Sequence, residues 1–295
     1  MKLGFTTWYT EERVAFAGRA GFDGLEVWAE LNSPLDLNKM DDGDIARTAD
    51  WFAQNGTEVL TLQCAPPQLG RDPARRAANN AYFTRALKSA KKFGTSIVVT
   101  QLYIDRDAPP ESVLPVYKEI FSRHAETAER EGVVIAVENC PHWGGYPKSI
   151  GNLGATPELW DAMFDAVPSK RIGLEFDPSH LCWMGVDYVK AIRTYGDRIF
   201  SFHAKDTEIL EDRRDKYGIF GRHVGGDEIG WWRYRVPGWG ELNWKGIFGA
   251  LYDIGYDGPM LIEHEDPVFE GDRANEGLER GLRFLRQFTE GGSVR

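Results

Sequence analysis

Residues 133–138 carry the sequence VVIAVE, in which five consecutive apolar and mostly β-branched side chains are followed by a glutamate. A strand with one face in water alternates polar and apolar residues, whereas an unbroken apolar run is typical of a strand covered on both faces. Parallel sheets wrapped by helices contain such strands. This stretch therefore predicts an α/β protein and places an acid at the end of a buried parallel strand.

The same unit recurs on both sides of this stretch as a short apolar run, a polar turn and an amphipathic helical pattern. The predicted strands are Lys2–Thr7, Gly24–Trp28, Glu58–Gln63, Ser96–Gln101, Val133–Glu138, Ile172–Asp177, Ile199–His203 and Pro259–Glu263. The predicted helices are Thr10–Ala20, Gly43–Asn55, Pro73–Phe93, Glu111–Glu131, Thr156–Ala166, Val186–Tyr195, Trp244–Ile254 and Arg273–Phe288. Eight such units, without a glycine-rich phosphate fingerprint after the first strand, favour a closed (β/α)8 barrel over a doubly wound sheet.

No linker-like stretch divides the chain, so residues 1–295 are predicted to form a single TIM-barrel domain. One connection is out of proportion: residues 205–240, after the seventh strand, are rich in charge, glycine and tryptophan. A structureless loop of this length in a compact domain is usually functional, and this one would lie at the mouth where barrel active sites are built. The alternatives are an oligomerisation arm, which would make a homo-oligomer, or a disordered insert.

Composition excludes several classes of protein. The formal net charge of −10 opposes non-specific binding to nucleic acid and to anionic membranes. The amino-terminal residues turn polar and acidic too early for a signal peptide, and no apolar run is long enough for a membrane span. Three cysteines without a CxxC spacing argue against a disulfide framework and indicate a reducing cytoplasm.

The last four predicted strands each end in a side chain that can bind a metal. These residues are Glu138, Asp177, His203 and Glu263, each following an apolar run. Because the carboxyl ends of barrel strands meet at one mouth, we expect the four side chains to converge there. Without a cation, three carboxylates in one pocket would repel one another strongly. The sequence therefore predicts one divalent metal ion held by these four residues, which we call the ligand set.

The ligand set is rich in oxygen donors, which suits hard cations better than a structural zinc site. Mn²⁺ is the first choice, with Mg²⁺ and Co²⁺ as alternatives. The alternative interpretation is that these carboxylates share no metal ion and face solvent around the rim of the barrel.

Four short motifs resemble those of the sugar phosphate isomerase/epimerase family, which comprises xylose isomerase-like barrels. They are EFDPSH at residues 175–180, FHAKD at 202–206, VPGWG at 236–240 and IEHE at 262–265. The family includes ketose 3-epimerases, inosose dehydratase and inosose isomerase. The resemblance spans nearly the whole chain and implies that the ligand set binds one divalent ion. It also implies that Glu138 and Glu263 act as proton-transfer groups on either side of the substrate carbon.

This assignment agrees with the chemistry of keto-sugars. Moving a proton beside a carbonyl passes through an enediolate, whose developing oxyanion a metal neutralises as a Lewis acid. A carboxylate on each face can remove and return the proton, which gives epimerisation. The predicted function is therefore that of a metal-dependent isomerase or epimerase acting on a keto-sugar or a related polyol ketone.

Further residues are candidates for contacting the sugar. Arg235 matches a position where the resembled family often has an arginine that contacts substrate. The others lie at or just beyond predicted strand ends or in the long loop: His180, Lys205, His142, Trp143, Trp8 and Gln101, with Trp28, Gln63, Asp206 and His223 as weaker candidates. One arginine beside an acidic site is thin support for a phosphate, so we expect an unphosphorylated sugar.

Three other functions fit parts of this pattern. A DNA-repair endonuclease with three zinc ions would need histidines at the ends of the second and third strands, which here end in Trp28 and Gln63. A lyase would use the same enolate to eliminate water or an aglycone from a 3-keto-sugar or 3-keto-glycoside, beneath a roof formed by the long loop. A non-catalytic sugar-binding barrel would have no need of two opposed glutamates.

Overall fold

The fold is described from a computed structural model of the protein, for residues 1–144, 149–219 and 230–289. Eight parallel strands close into a barrel: β1 (Lys2–Thr7), β2 (Gly24–Trp28), β3 (Glu58–Gln63), β4 (Ile97–Thr100), β5 (Val134–Glu138), β6 (Ile172–Phe176), β7 (Ile199–His203) and β10 (Pro259–Ile262). Their order around the barrel is β1-β10-β7-β6-β5-β4-β3-β2. The predicted (β/α)8 barrel is confirmed, with strand ends shifted by no more than one residue.

The helices that surround the barrel are α1 (Glu11–Ala20), α2 (Asp42–Gln54), α3 (Pro73–Ser89), α4 (Leu114–Glu131), α5 (Pro157–Ala166), α6 (Pro178–Trp183), α7 (Tyr188–Thr194), α8 (Glu211–Tyr217), α9 (Trp244–Asp253) and α10 (Ala274–Thr289). Local sequence sets their ends. Thr10 caps α1 by accepting a hydrogen bond from the Arg13 amide, and Gly21 ends it with φ 85°. The short helix α6 was not predicted; it begins because Asp177 caps the amide of Ser179.

The long connection after β7 has its own secondary structure, contrary to the prediction of a structureless loop. β8 (Asp206–Ile209) and β9 (Trp232–Arg235) pair antiparallel as a two-stranded ribbon, which we call the ribbon, and α8 lies between them in sequence. Asp206, at the start of β8, holds the segment that follows β9. Its carboxylate accepts hydrogen bonds from the amides of Thr207, Gly238 and Leu242 and from the Trp244 indole.

β5 is buried along most of its length, as its sequence predicted. Over the described part of the chain, no helix has the length and apolar character needed to cross a membrane.

Candidate metal centre

The ligand set converges at the carboxyl end of the barrel. Glu138 and His203 end β5 and β7, whereas Asp177 and Glu263 each stand one residue beyond the end of β6 and β10. One ligand atom from each of the four lies within 4.8 Å of the others. The strand-end reasoning therefore placed all four side chains at one point, although two of them extend from the first residue of a loop.

Three of these residues carry a buried polar atom that forms no hydrogen bond with the protein, and two of these atoms lie 3.2 to 3.4 Å from the side-chain nitrogens of His180 or Lys205. The three atoms are Glu138 Oε1, Asp177 Oδ2 and His203 Nδ1, none of which has a hydrogen-bond partner. The second oxygen of each carboxylate is engaged, because Gln101 Nε2 donates to Glu138 Oε2 at 2.8 Å and the Ser179 amide donates to Asp177 Oδ1 at 2.8 Å. Buried polar atoms normally form hydrogen bonds, so three atoms that form none and face one point fit a divalent cation bound between them.

A buried ammonium group contacts the same carboxylates. Lys205 Nζ lies 2.5 Å from Glu263 Oε2, 3.0 Å from Glu265 Oε2 and 3.2 Å from Asp177 Oδ2. The ring of Tyr234, from the ribbon, covers this ammonium at 4.4 Å from the ring centroid. Lys205 therefore supplies positive charge within the candidate metal centre itself.

These contacts decide the ionisation of the site. Burial raises the pKa of Asp177, but the charges of Lys205 and His180 outweigh it and bring the pKa to about 2. Burial likewise opposes ionisation of Glu263, while Lys205 and His203 hold its pKa well below the usual range. Burial lowers the pKa of Lys205, but the surrounding carboxylates raise it well above its ordinary value. At neutral pH the site therefore combines two ionised carboxylates with an ammonium.

His180 lies between the ligand set and the ribbon. Its Nε2 is 3.2 Å from Asp177 Oδ2 and 3.4 Å from Glu138 Oε1, and its Nδ1 is 2.9 Å from the Tyr234 hydroxyl. Trp183 Nε1 donates to the same hydroxyl at 3.2 Å. The histidine is thus in reach both of the metal ligands and of a group that only the ribbon supplies.

A second layer of polar groups lies deeper in the barrel, behind His203. Glu26 from β2 and Glu175 from β6 are both completely buried. Burial and the neighbouring Glu26 raise the pKa of Glu175 well above its usual value, whereas contacts with His203 outweigh burial and lower the pKa of Glu26. We call this pair of carboxyl groups the inner layer.

The mouth of the barrel holds a cavity of about 570 Å³. Most of the residues predicted to face a sugar line it: Trp8, Trp28, Gln63, Gln101, His142, His180 and Lys205, together with Glu263. Gln101 connects two of them to the ligand set, because its Oε1 lies 3.0 Å from His142 Nε2 while its amide donates to Glu138. The structure therefore brings these predicted groups together around one space.

Other predicted residues lie elsewhere. Arg235 does not line the cavity; its guanidinium is paired with Asp266, at 2.9 Å, and with Glu208. Trp143 also lies outside the lining and meets Trp183 edge-on, with ring centroids 6.5 Å apart.

Two weaker candidates also differ from the prediction. Asp206 holds the ribbon and does not orient His203. His223 lies outside the described residues.

Several groups of the site were not predicted. Glu26 and Glu175 sit within strands, and Glu175 stands two residues before Asp177, so the two-residue period of a strand would have placed it on the same face. Tyr234 comes from the ribbon, for which no strand pattern was recognised. Tyr103, Glu30 and Glu265 also line the cavity.

Solved structures of the same fold are numerous among sugar enzymes. D-psicose 3-epimerase superposes with a TM-score of 0.74 at 22% identity, covering 99% of this chain and all of that one. The IOLI protein with a binding zinc atom gives 0.75 at 20% identity over the full length of both chains. The 3-keto-D-glucoside 4-epimerase YcjR of E. coli gives 0.72 at 15% identity, covering 97% of this chain and 99% of that one. At these identities the likeness shows the fold.

Curated relatives extend the comparison to sequence. The uncharacterised protein YfiH of Bacillus subtilis is 26% identical over 94% of either chain. Inosose isomerase of Bacillus velezensis is 24% identical over 88% of this chain and 84% of its own. Inosose dehydratase of Clostridium perfringens is 31% identical over 42% of this chain and 41% of its own length. The relatives with named activities are enzymes. The family model described as xylose isomerase-like TIM barrel matches residues 14–288, and the chain belongs to that family.

Proposed function

We propose that the chain is a divalent-metal-dependent isomerase or epimerase that moves a proton beside the carbonyl of an unphosphorylated keto-sugar or related polyol ketone. The observation that carries this proposal is the ligand set, whose four ligand atoms lie within 4.8 Å of one another and in which three residues carry a buried polar atom that forms no hydrogen bond. The named activities of the relatives, inosose isomerase and several sugar epimerases, support the same chemistry. Three free cysteines fit an enzyme of the reducing cytoplasm.

A divalent ion held by the ligand set, with Mn²⁺ as the proposed species, would polarise the substrate carbonyl as a Lewis acid. The chain's own part is proton transfer at the neighbouring carbon. Glu138 ends β5 and Glu263 follows β10, and in this proposal one carboxylate removes the proton and the other returns it from the opposite face. Gln101 orients Glu138 through its amide, and Lys205 orients Glu263 through its ammonium.

The cavity also indicates the class of substrate. No arginine is among the described residues that line it, and Lys205, the lysine of this lining, forms ion pairs with three carboxylates. Two further acidic side chains, Glu30 and Glu265, also line the cavity, which disfavours a phosphate group. Trp8 and Trp28 offer apolar ring faces of the kind that pack against sugars. An uncharged keto-sugar therefore fits the lining better than a sugar phosphate.

Glu138→Gln and Glu263→Gln test the proposed acid/base pair. Each substitution keeps the size of the side chain and removes its capacity to accept a proton. The Mn²⁺-loaded variants are incubated with a ketohexose, an inosose and a 3-keto-glycoside in D₂O, and proton NMR follows exchange at the carbon beside the carbonyl. We expect turnover to fall by about 10²- to 10⁴-fold. Full turnover in both variants on a substrate that the wild type converts would contradict the assigned roles.

A lyase is the second candidate, favoured by the inosose dehydratase relatives and by Tyr234, an aromatic side chain of the ribbon that lines the cavity. The same NMR experiment separates the two. Deuterium uptake with an intact carbon skeleton indicates an isomerase or epimerase, whereas loss of water or of an aglycone indicates a lyase. Tight sugar binding with neither exchange nor elimination would indicate a non-catalytic sugar-binding barrel.

A further inference from the structure

The imidazole of His203 faces two different environments. Its Nδ1 is turned to the candidate metal centre, 3.2 Å from Glu263 Oε2, and makes no hydrogen bond. Its Nε2 is turned into the barrel, 3.3 Å from Glu26 Oε1 and 3.1 Å from Glu175 Oε2. The inner layer therefore contacts the nitrogen that the proposed metal does not need.

Each carboxyl group of the inner layer is itself held by a hydroxyl from a neighbouring strand. Thr61 Oγ1 donates to Glu26 Oε2 at 2.6 Å, and Ser201 Oγ donates to Glu175 Oε1 at 2.8 Å. One oxygen of each carboxyl group is thereby engaged, which directs the other oxygen to His203 Nε2. All of these groups are buried and stand on β-strands, so their positions are fixed by the barrel.

A neutral imidazole carries a proton on one nitrogen and a lone pair on the other. Which nitrogen binds a metal is set by the hydrogen bond that the other one donates, commonly to a carboxylate. We infer that Glu26 and Glu175 are positioning residues that hold the Nε2–H of His203, so that the lone pair of Nδ1 points at the metal. This inference rests on the metal site of the proposed function.

Glu26, Glu175 and His203 also have the spacing of a metal site with three protein ligands, which is the competing interpretation. The number of donors favours positioning. Glu26, Glu175 and His203 offer three donor groups, whereas the ligand set offers four and reaches the cavity through Glu263. Glu175 Oε2 has no hydrogen bond of its own, because the single Nε2–H can be donated fully to only one of two adjacent acceptors.

The test is metal affinity, measured without turnover. Glu26→Gln, Glu175→Gln and the double variant are prepared metal-free and titrated with Mn²⁺, with free Mn²⁺ followed by electron paramagnetic resonance. We expect the dissociation constant to rise about 10-fold in each single variant and approach 100-fold in the double variant, with one ion per chain throughout. Thr100→Val is the matched control, since it removes a buried hydrogen bond with Gln68 in the same barrel without touching His203; its affinity stays within 2-fold of wild type.

A spectroscopic readout separates positioning from a general loss of stability. In the Co²⁺-loaded wild type, proton NMR is expected to show a strongly shifted imidazole N–H signal that exchanges slowly with D₂O. The signal exchanges faster in the double variant, while Thr100→Val leaves it unchanged. If the glutamine variants fail to fold, Thr61→Val and Ser201→Ala loosen the same carboxyl groups and are expected to weaken Mn²⁺ binding by about 2- to 10-fold.

Two outcomes overturn the inference. One is wild-type affinity in both single variants and the double variant. The other is two Mn²⁺ ions per wild-type chain that fall to one in the variants, which would make the inner layer a second metal site. A wild-type chain that binds no Mn²⁺ contradicts the proposed function itself, so the two failures are distinguishable.

Discussion

The ligand set and the ribbon meet at the same cavity but are built in different ways. The ligand set comes from β5, β6, β7 and β10, or the first residue after them, and parallel pairing brings these four positions to one end of the barrel. The ribbon comes from one connection and depends on side-chain contacts to stay in place. The first region is fixed by backbone hydrogen bonding and the second by a few polar anchors, so substitutions in the two should have different consequences.

The largest effect is expected in the ligand set. His203→Ala removes the imidazole whose Nδ1 faces the site and leaves three of the four members of the ligand set. Mn²⁺ affinity should fall by at least about 100-fold, and turnover should be lost together with it. Isothermal titration with Mn²⁺ measures the first effect, and chelation of the wild-type enzyme by EDTA should reproduce the second.

Asp266→Asn is the matched control for this prediction. It alters a buried carboxylate near the mouth that contacts Arg235 and the Val236 amide but no member of the ligand set. Equal loss of Mn²⁺ binding in both variants would mean that general destabilisation, and not ligation, explains the result.

A smaller effect is expected at Arg235, which joins the end of the ribbon to Asp266. Arg235→Met leaves the buried Asp266 carboxylate without its guanidinium partner, while Glu208 remains partly in water and paired with Arg233. The free energy of unfolding should fall by roughly 2 kcal/mol, as measured by urea denaturation. Mn²⁺ affinity should not change.

This variant also tests the role that the family resemblance suggested for Arg235. If Arg235 contacts substrate, its substitution should raise the Michaelis constant and leave the free energy of unfolding unchanged. That result would mean that the ribbon rearranges when sugar binds and frees the guanidinium from its two carboxylates.

The difference between the two regions explains which residues of the site could be predicted from the sequence. Strand ends such as Glu138 follow from an apolar run and the geometry of parallel strands, so a local pattern places them in space. Asp177 and Glu263 lie one residue past their strands, yet the same reasoning found them because the chain has not yet turned away. Glu175 could have been found by counting back two residues along the strand.

Arg235 and Tyr234 could not be placed in this way. Their positions depend on how β8 pairs with β9 and on which carboxylates the returning chain meets, and these contacts join residues that are 23 or more positions apart. A charged, glycine-rich stretch indicates an irregular connection, but it carries no period that predicts a register. The ribbon was therefore expected only as a loop, and Arg235 was assigned to substrate although the structure pairs it with Glu208 and Asp266.

The ribbon's direct contribution to the site is tested by Tyr234→Phe. The substitution removes the hydroxyl that lies 2.9 Å from His180 Nδ1 and keeps the ring above Lys205. Loss of one hydrogen bond should lower turnover by about 2- to 10-fold, with unchanged Mn²⁺ affinity. Unaltered steady-state kinetics would show that the ribbon covers the site without taking part in it.

The smallest effect is expected at the rim of the cavity, at Trp8. Trp8 is 44% exposed and meets Trp28 edge-on, so a face of its ring is open to a bound sugar. Trp8→Ala should raise the Michaelis constant by about 2- to 5-fold, the range of a single exposed aromatic contact, while the turnover number is unchanged. Trp239 is 45% exposed but packs on Phe269 away from the cavity, so Trp239→Ala controls for the loss of a surface indole. A fall in the turnover number of Trp8→Ala, absent from the control, would mean that the rim also orients the reacting carbon and that the ligand set does not act alone.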